Sequence, residues 1–179
     1  SGSSPLEFRV SEQTGEAPEP AQALARIQER PAVSHYDTRL SESPFWFSFT
    51  IEPAKIGERT NIELPSRHAI AVSCWDAAGL QPMGNANREA AAGQMRPAKT
   101  GFVLELGRQQ SQAPLTVLCK STFAGPGRIG VVQWPGSQFD LSARKFHRDS
   151  GLLDGGLIVL SLFVLLTAII NREWIYVLF

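Results

Sequence analysis

The tryptophans, cysteines and histidines of this chain are the residues whose chemistry depends most on where a fold would place them. Trp46 and Trp75 each fall on the side of a β-patterned segment opposite its more apolar face, and Trp134 ends a third such segment just before a Pro-Gly turn. Rings so placed are candidates to stack a sugar or another flat, partly apolar ligand. Burial of their large area in packing is the competing use. Cys74 and Cys119 belong to no C-x-x-C pair and no Cys/His cluster, so a zinc site has no support. In an exported domain they could form a disulfide, and two buried free thiols are an equal alternative. His35, His68 and His147 are scattered, and no G-x-S-x-G elbow is present. Gly125 to Gly130 spells G-x-G-x-x-G, but a strand follows it where a dinucleotide loop needs a helix, so it reads as a turn. Catalysis by this stretch of chain is not expected, and neither is a metal or a cofactor.

The segments that would hold these residues are short and β-patterned. Phe45 to Ile51 alternates, with Phe45, Phe47, Phe49 and Ile51 on one face and Trp46, Ser48 and Thr50 on the other. Asn61 to Leu64 is a short candidate strand. In His68 to Trp75 the residues Ile70, Val72 and Cys74 share a face. Asp76 to Gly79 reads as the turn of a hairpin, with Leu80 onward as its return strand. Gly84 to Ala98 has no period and reads as a loop. Thr100 to Leu106, Pro114 to Ser121 and Arg128 to Trp134 are further strands. Seven or so short strands separated by turn signals predict a mainly β fold, an antiparallel β-sandwich of jelly-roll type. Before it, Leu6 to Val10 alternates like a strand, Thr14 to Pro20 is a linker, and Ala21 to Glu29 fits a short helix. The expected organisation is a segment 1–33, a sandwich 34–142, a connector 143–150 and a membrane segment 151–179.

Composition limits the partners. With 17 basic and 17 acidic residues in 179, the charge is balanced, which argues against a nucleic-acid surface. Fifteen Gly and twelve Pro suit many turns better than long helices. From Gly151 the chain changes: between Gly155 and Ile170 no side chain ionises, and the run is apolar all round rather than striped. With the residues just before it, this makes about 20 residues, enough to cross a bilayer. After Asn171-Arg172-Glu173 a second apolar run begins at Trp174. The expectation is a first transmembrane helix, including Gly155, Gly156 and Ile170, then a short polar turn and the start of a second helix. Gly151-x-x-x-Gly155 would let another helix approach, so a homodimer is allowed. Arg144, Lys145 and Arg148 precede the run, which by the positive-inside rule alone would put the globular part in the cytoplasm.

Taken together, these pieces resemble the bacterial 7TMR-DISM receptors, a family with a seven-helix membrane region and diverse intracellular signalling modules. The aromatic strand Phe45 to Ile51 resembles the strand near the start of the family's sandwich. Cys74 to Gly79 with the stretch to Arg96-Pro97 resembles its hairpin and linker, and Pro114 to Ser121 with Gly125-Pro126-Gly127 a late strand and turn. Asp154-Gly155-Gly156 through Arg172 to Tyr176 is similar to the family's first helix, its short turn and the opening of the second. The resemblance implies a sandwich in the periplasm, a bacterial inner-membrane location, Arg172 on the cytoplasmic side, and a cytoplasmic output such as a diguanylate cyclase or a histidine kinase. On this reading the chain is the sensory domain of a multi-pass receptor, upstream of cyclic-di-GMP metabolism. Its partners are the lipid bilayer and a small molecule, carbohydrate or periplasmic protein. Two alternatives stand beside it: a membrane-tethered carbohydrate-binding module, and a scaffold subunit of a membrane complex.

Overall fold

Alternation in the aromatic strand fixes two different environments, and a computed structural model of the chain shows both. It describes residues 2–52, 58–108, 110, 112–135 and 159–170. In chain order the elements begin with β1 (Ser4–Pro5), β2 (Phe8–Glu12), helix α1 (Pro20–Gln28), β3 (Tyr36–Asp37), β4 (Phe45–Ile51), β5 (Arg59–Pro65) and β6 (Ala69–Asp76). There follow β7 (Gln81–Asn87), β8 (Ala91–Gly93), β9 (Met95–Ala98), β10 (Gly101–Arg108), β11 (Leu115–Phe123), β12 (Arg128–Ile129) and β13 (Val132–Pro135). One sheet has the order β1-β13-β5-β10-β9, the other β2-β4-β11-β6-β7-β8, and β3 pairs with β12 apart from both. Every pairing is antiparallel. The two sheets form an antiparallel β-sandwich.

Phe45, Phe47, Phe49 and Ile51 point into the space between the sheets, where they meet Ile62, Leu64, Phe102 and Leu104 from the opposite layer. Some ring pairs meet edge-on: Phe8 lies 6.2 Å from Phe47 at 70°, and Phe45 lies 5.9 Å from Phe123 at 77°. Full burial of each such ring contributes about 2–3 kcal/mol before entropy is counted. The other face of β4 does something else. Trp46 joins Leu118 of β11 and the buried Ala23 and Ile27 of α1 in a second, smaller cluster. Helix α1 begins with a proline in its first turn, where a missing N–H costs nothing. Gln22 Oε1 accepts the Glu19 N–H at 3.3 Å. At its other end Arg9 Nη1 donates to the carbonyls of Gln28 and Arg30, so β2 holds the helix's last carbonyl and one just beyond it.

Several expectations are corrected. Residues 1–33 are not a separate segment, since β1 and β2 each add a strand to one of the sheets. Gly84 to Ala98 is not a loop. It holds the end of β7 together with β8, whose residues are small and exposed, and β9, in which Met95 alone is fully buried, so no hydrophobic period is left to read. Gly93, at φ +67, allows the sharp reversal, because a Cβ there would stand 2.6 Å from the Met83 carbonyl oxygen. Ile70 does not share the inward face with Val72 and Cys74. A bulge between β6 and β11 turns it out, 44% exposed, while Ala69 and Val72 stay buried. The predicted strand Arg128 to Trp134 is two strands, β12 and β13, paired with different partners.

The chain forms two units, Ser1–Gln138 and Phe139–Phe179. In the second, residues 159–170 are helical. No helix among the described residues is long and apolar enough to cross a membrane. Most of the expected span 151–179, Gly155 and Gly156 included, lies outside the described residues, as do the connector 143–150 and His147.

Candidate functional site

The three tryptophans singled out by sequence do not form one site. Trp46 is 3% exposed. It lies under α1, its Nε1–H donates to Gln13 Oε1 at 3.1 Å, and the Lys120 ammonium sits 5.3 Å from the ring centroid. Trp75 stacks on it with ring centroids 5.5 Å apart at 22° and packs into the same small cluster. Trp46 therefore offers no ring face to a ligand, which corrects its expectation as a platform. One face of Trp75 is committed to Trp46. The pair works as the floor beneath α1. Trp134 lies on the outer side of the other sheet. Its partner in register is Asn61, which alternates with the core residues Ile62 and Leu64, and its Nε1–H donates to Glu63 Oε2 at 2.8 Å. Two faces of the sandwich thus separate Trp134 from Trp46 and Trp75.

Cys74 and Cys119 are opposite each other in the register of β6 and β11, with Cα atoms 4.1 Å apart, and are joined as a disulfide. They are 1% and 0% exposed in the main core. Their closeness follows from antiparallel pairing, in which directly opposed residues approach most nearly where they share no backbone hydrogen bond.

A different group of residues encloses the largest open cleft described. Strand β2, the C-terminal end of α1 and β3 surround about 920 Å³, lined among others by Glu12, Arg26, Glu29, Arg30 and Tyr36. Each is placed by a structural reason. Val10 of β2 is buried toward the core, which turns Ser11 to the other face, and Glu12 is exposed at the end of the strand. Ile27 is fully buried against Trp46, which leaves Arg26, Glu29 and Arg30 on the free side of the helix end. Tyr36 rests its ring against Phe45, centroids 5.9 Å apart at 56°, and remains 36% exposed. Among the described residues, no ion pair joins the two carboxylates to the two guanidinium groups. Glu12 Oε1 accepts the Ser41 hydroxyl instead. The cleft thus presents acceptors, donors and one ring edge without closing them on each other. Sequence reading missed it because its residues come from β2, the end of α1 and β3, which no local pattern in the sequence links.

No family model matches the chain, and no curated protein matches it. Among solved structures the chain is similar to the C-terminal CBM6 of LamC from Zobellia galactanivorans, at 12% identity and a TM-score of 0.32, covering 57% of this chain and 89% of that one. It is similar to TmCBM61 in complex with beta-1,4-galactotriose at 12% identity and a TM-score of 0.33, covering 72% of this chain and 88% of that one. It is also similar to the enzymatically active domain of bacteriophage CBA120 tailspike protein 4, at 9% identity and a TM-score of 0.33. There it covers 72% of this chain and spans 19% of the phage chain. TM-scores this low carry no argument about function.

Proposed function

We propose that the chain is a carbohydrate-binding β-sandwich tethered to a membrane, with the cleft between β2, α1 and β3 as its sugar site. The observation that carries the reading is the pairing of an exposed Tyr36 ring with carboxylates and guanidinium groups that form no ion pair among the described residues, around about 920 Å³. A sugar presents hydroxyls that both donate and accept, and C–H patches that lie well against a ring. Carboxylates such as Glu12 and Glu29 accept two hydroxyl protons each, Arg26 and Arg30 donate, and Tyr36 covers the apolar patch. The volume lies within the usual range for small-molecule sites, about 300–1,000 Å³.

The tether is supported by residues 159–170, whose large apolar side chains are between 48% and 68% exposed. The Thr167 hydroxyl donates to the Phe163 carbonyl at 2.9 Å, which satisfies it within its own helix, as lipid would require. In the receptor reading that the 7TMR-DISM resemblance implies, occupancy of the cleft would also change a cytoplasmic output. Sugar-dependent cyclic-di-GMP levels in cells carrying the whole protein test that extension.

Glycan-array screening of the purified chain tests the binding proposal, followed by titration of any glycan captured. Tyr36→Ala and Glu29→Gln should each weaken binding about tenfold, the equivalent of one lost good contact, while Trp134→Ala leaves it unchanged. An array on which nothing is captured overturns the proposal, as does binding that survives Tyr36→Ala and is lost with Trp134→Ala.

A further inference from the structure

Successive residues of a strand point to opposite sides, and in β3 this places Tyr36 at the sugar cleft and Asp37 at another. The second cleft encloses about 400 Å³ between β3, the corner joining β5 to β6, and the turn before β12. Its charged lining is Asp37, Arg39, Arg67 and Arg128, with His68 beside them. The walls are well fastened. Thr38 is 2% exposed, its hydroxyl donates to the Gly127 carbonyl at 3.1 Å, and the same oxygen accepts the Gly127 N–H at 2.9 Å. The Arg88 guanidinium grips the corner from behind, donating to the carbonyls of Ser66, Arg67 and Ala69 at 3.2, 3.4 and 3.0 Å. It also lies 5.0 Å from the centroid of Phe102.

The charge balance in this cleft is lopsided. Its one carboxylate, Asp37, is taken by Arg128 through contacts of 2.8 and 3.4 Å. Hydrogen bonding to Arg128, with smaller contributions from the charges of Arg128, His35 and Arg39, holds the Asp37 carboxyl below its ordinary value. Arg39 and Arg67 are exposed, and their guanidinium groups have no hydrogen-bond or ion-pair partner among the described residues. Arg39 holds φ at +55, a conformation that a non-glycine residue adopts at some cost. His68 donates from Nδ1 to the Ala124 carbonyl at 3.2 Å, since a carbonyl can only accept, and its Nε2 is left over. Two guanidinium groups with no ion-pair partner of their own, in a cleft whose one carboxylate is already held by Arg128, form a site for a negatively charged group.

We infer that this second cleft takes a carboxylate or sulfate-ester substituent of the bound glycan, with Arg39 and Arg67 as its clamps, so that the protein selects acidic over neutral carbohydrate. The acidic group as ligand rests on the charge of the cleft alone. The glycan as its carrier rests on the sugar-site proposal. Guanidinium groups suit both substituents because each presents two oxygens to the fork of N–H donors.

The test is calorimetric titration with one glycan in sulfated and desulfated form, using the whole chain. The wild type should bind the sulfated form about tenfold more tightly, a difference that shrinks as salt is raised. Arg39→Asn combined with Arg67→Gln should remove the preference while leaving affinity for the desulfated form unchanged. Asn is chosen because it tolerates positive φ. Asp37→Asn should increase the preference, since it removes the competing carboxylate and frees Arg128. A purely structural role for Asp37 would not produce that gain. Equal affinity for the two forms, or a preference that persists in the double variant, overturns the inference. If neither form binds, the sugar reading has failed, and inorganic sulfate decides the anion site by itself. Saturable binding abolished in the double variant upholds it, and no saturable binding removes it.

Discussion

Removing the Cys74–Cys119 link should be among the most damaging changes available in the core, and its size follows from the chain between the two residues. The crosslink closes a loop with a sequence separation of 45. In the chain-entropy account, closing a loop of that length lowers the free energy of folding by about 4 kcal/mol, between the values for short and very long loops. Both sulfurs lie in the main core, where the residues are 1% and 0% exposed, so Cys74→Ala/Cys119→Ala also leaves a small cavity. The strands are already paired on both sides in register, so little native geometry has to change when the bond is absent. The loss should therefore appear mainly as a freer unfolded state. Guanidinium denaturation of the wild type and the double variant, without reductant, should show a difference of about 3–5 kcal/mol. That is a large share of the about 5–15 kcal/mol typical of a domain. Reductant should lower the wild type toward the variant and leave the variant unmoved. A double variant within about 1 kcal/mol of the wild type would refute the reasoning.

Ile27→Ala empties a fully buried position between α1 and Trp46 and should cost about 2–4 kcal/mol. Because α1 packs on the outer face of one sheet in a small cluster apart from the main core, the loss should be local. Hydrogen exchange should accelerate in Pro20–Gln28 while the sandwich amides stay protected, and sugar affinity should fall with it. Gly101→Ala should destabilise by at least about 2 kcal/mol in thermal or chemical melts, because Gly101 holds φ at +143 and a Cβ there would meet the Leu64 carbonyl oxygen and the Ser66 nitrogen.

What could be read from the sequence was whatever alternates against a core. Phe45 to Ile51 shows its two faces in its spelling, because the inward positions are apolar throughout while the outward ones set the polar Ser48 and Thr50 beside Trp46. The coarse architecture, short antiparallel strands in a sandwich, was legible for the same reason. Periodicity tells which residues share a face but not what covers it. Trp46 and Trp75 were assigned to the outer face of their sheet, and they do lie there, yet α1 covers Trp46. That cover is invisible until Ala23 and Ile27 are seen packed on it. Strands β8 and β9 were missed because β8, at its sheet edge, buries neither face and β9 fully buries only Met95. The bulge that expels Ile70 was missed because one extra residue changes no composition. The sugar cleft left no local signal at all. Glu12, Glu29 and Tyr36 come from three elements and become neighbours only when β2 joins the six-stranded sheet and α1 folds back across it.

The proposed function is tested most directly by asking where a bound sugar sits. Backbone amide resonances of the whole chain can be followed as a glycan captured on the array is titrated in. The account predicts saturable shifts concentrated in the stretches 10–14, 26–31 and 33–36, which carry the residues that line the cleft, and their loss in Tyr36→Ala. Shifts centred on Trp134 and its neighbours, or shifts unchanged by Tyr36→Ala, would contradict it.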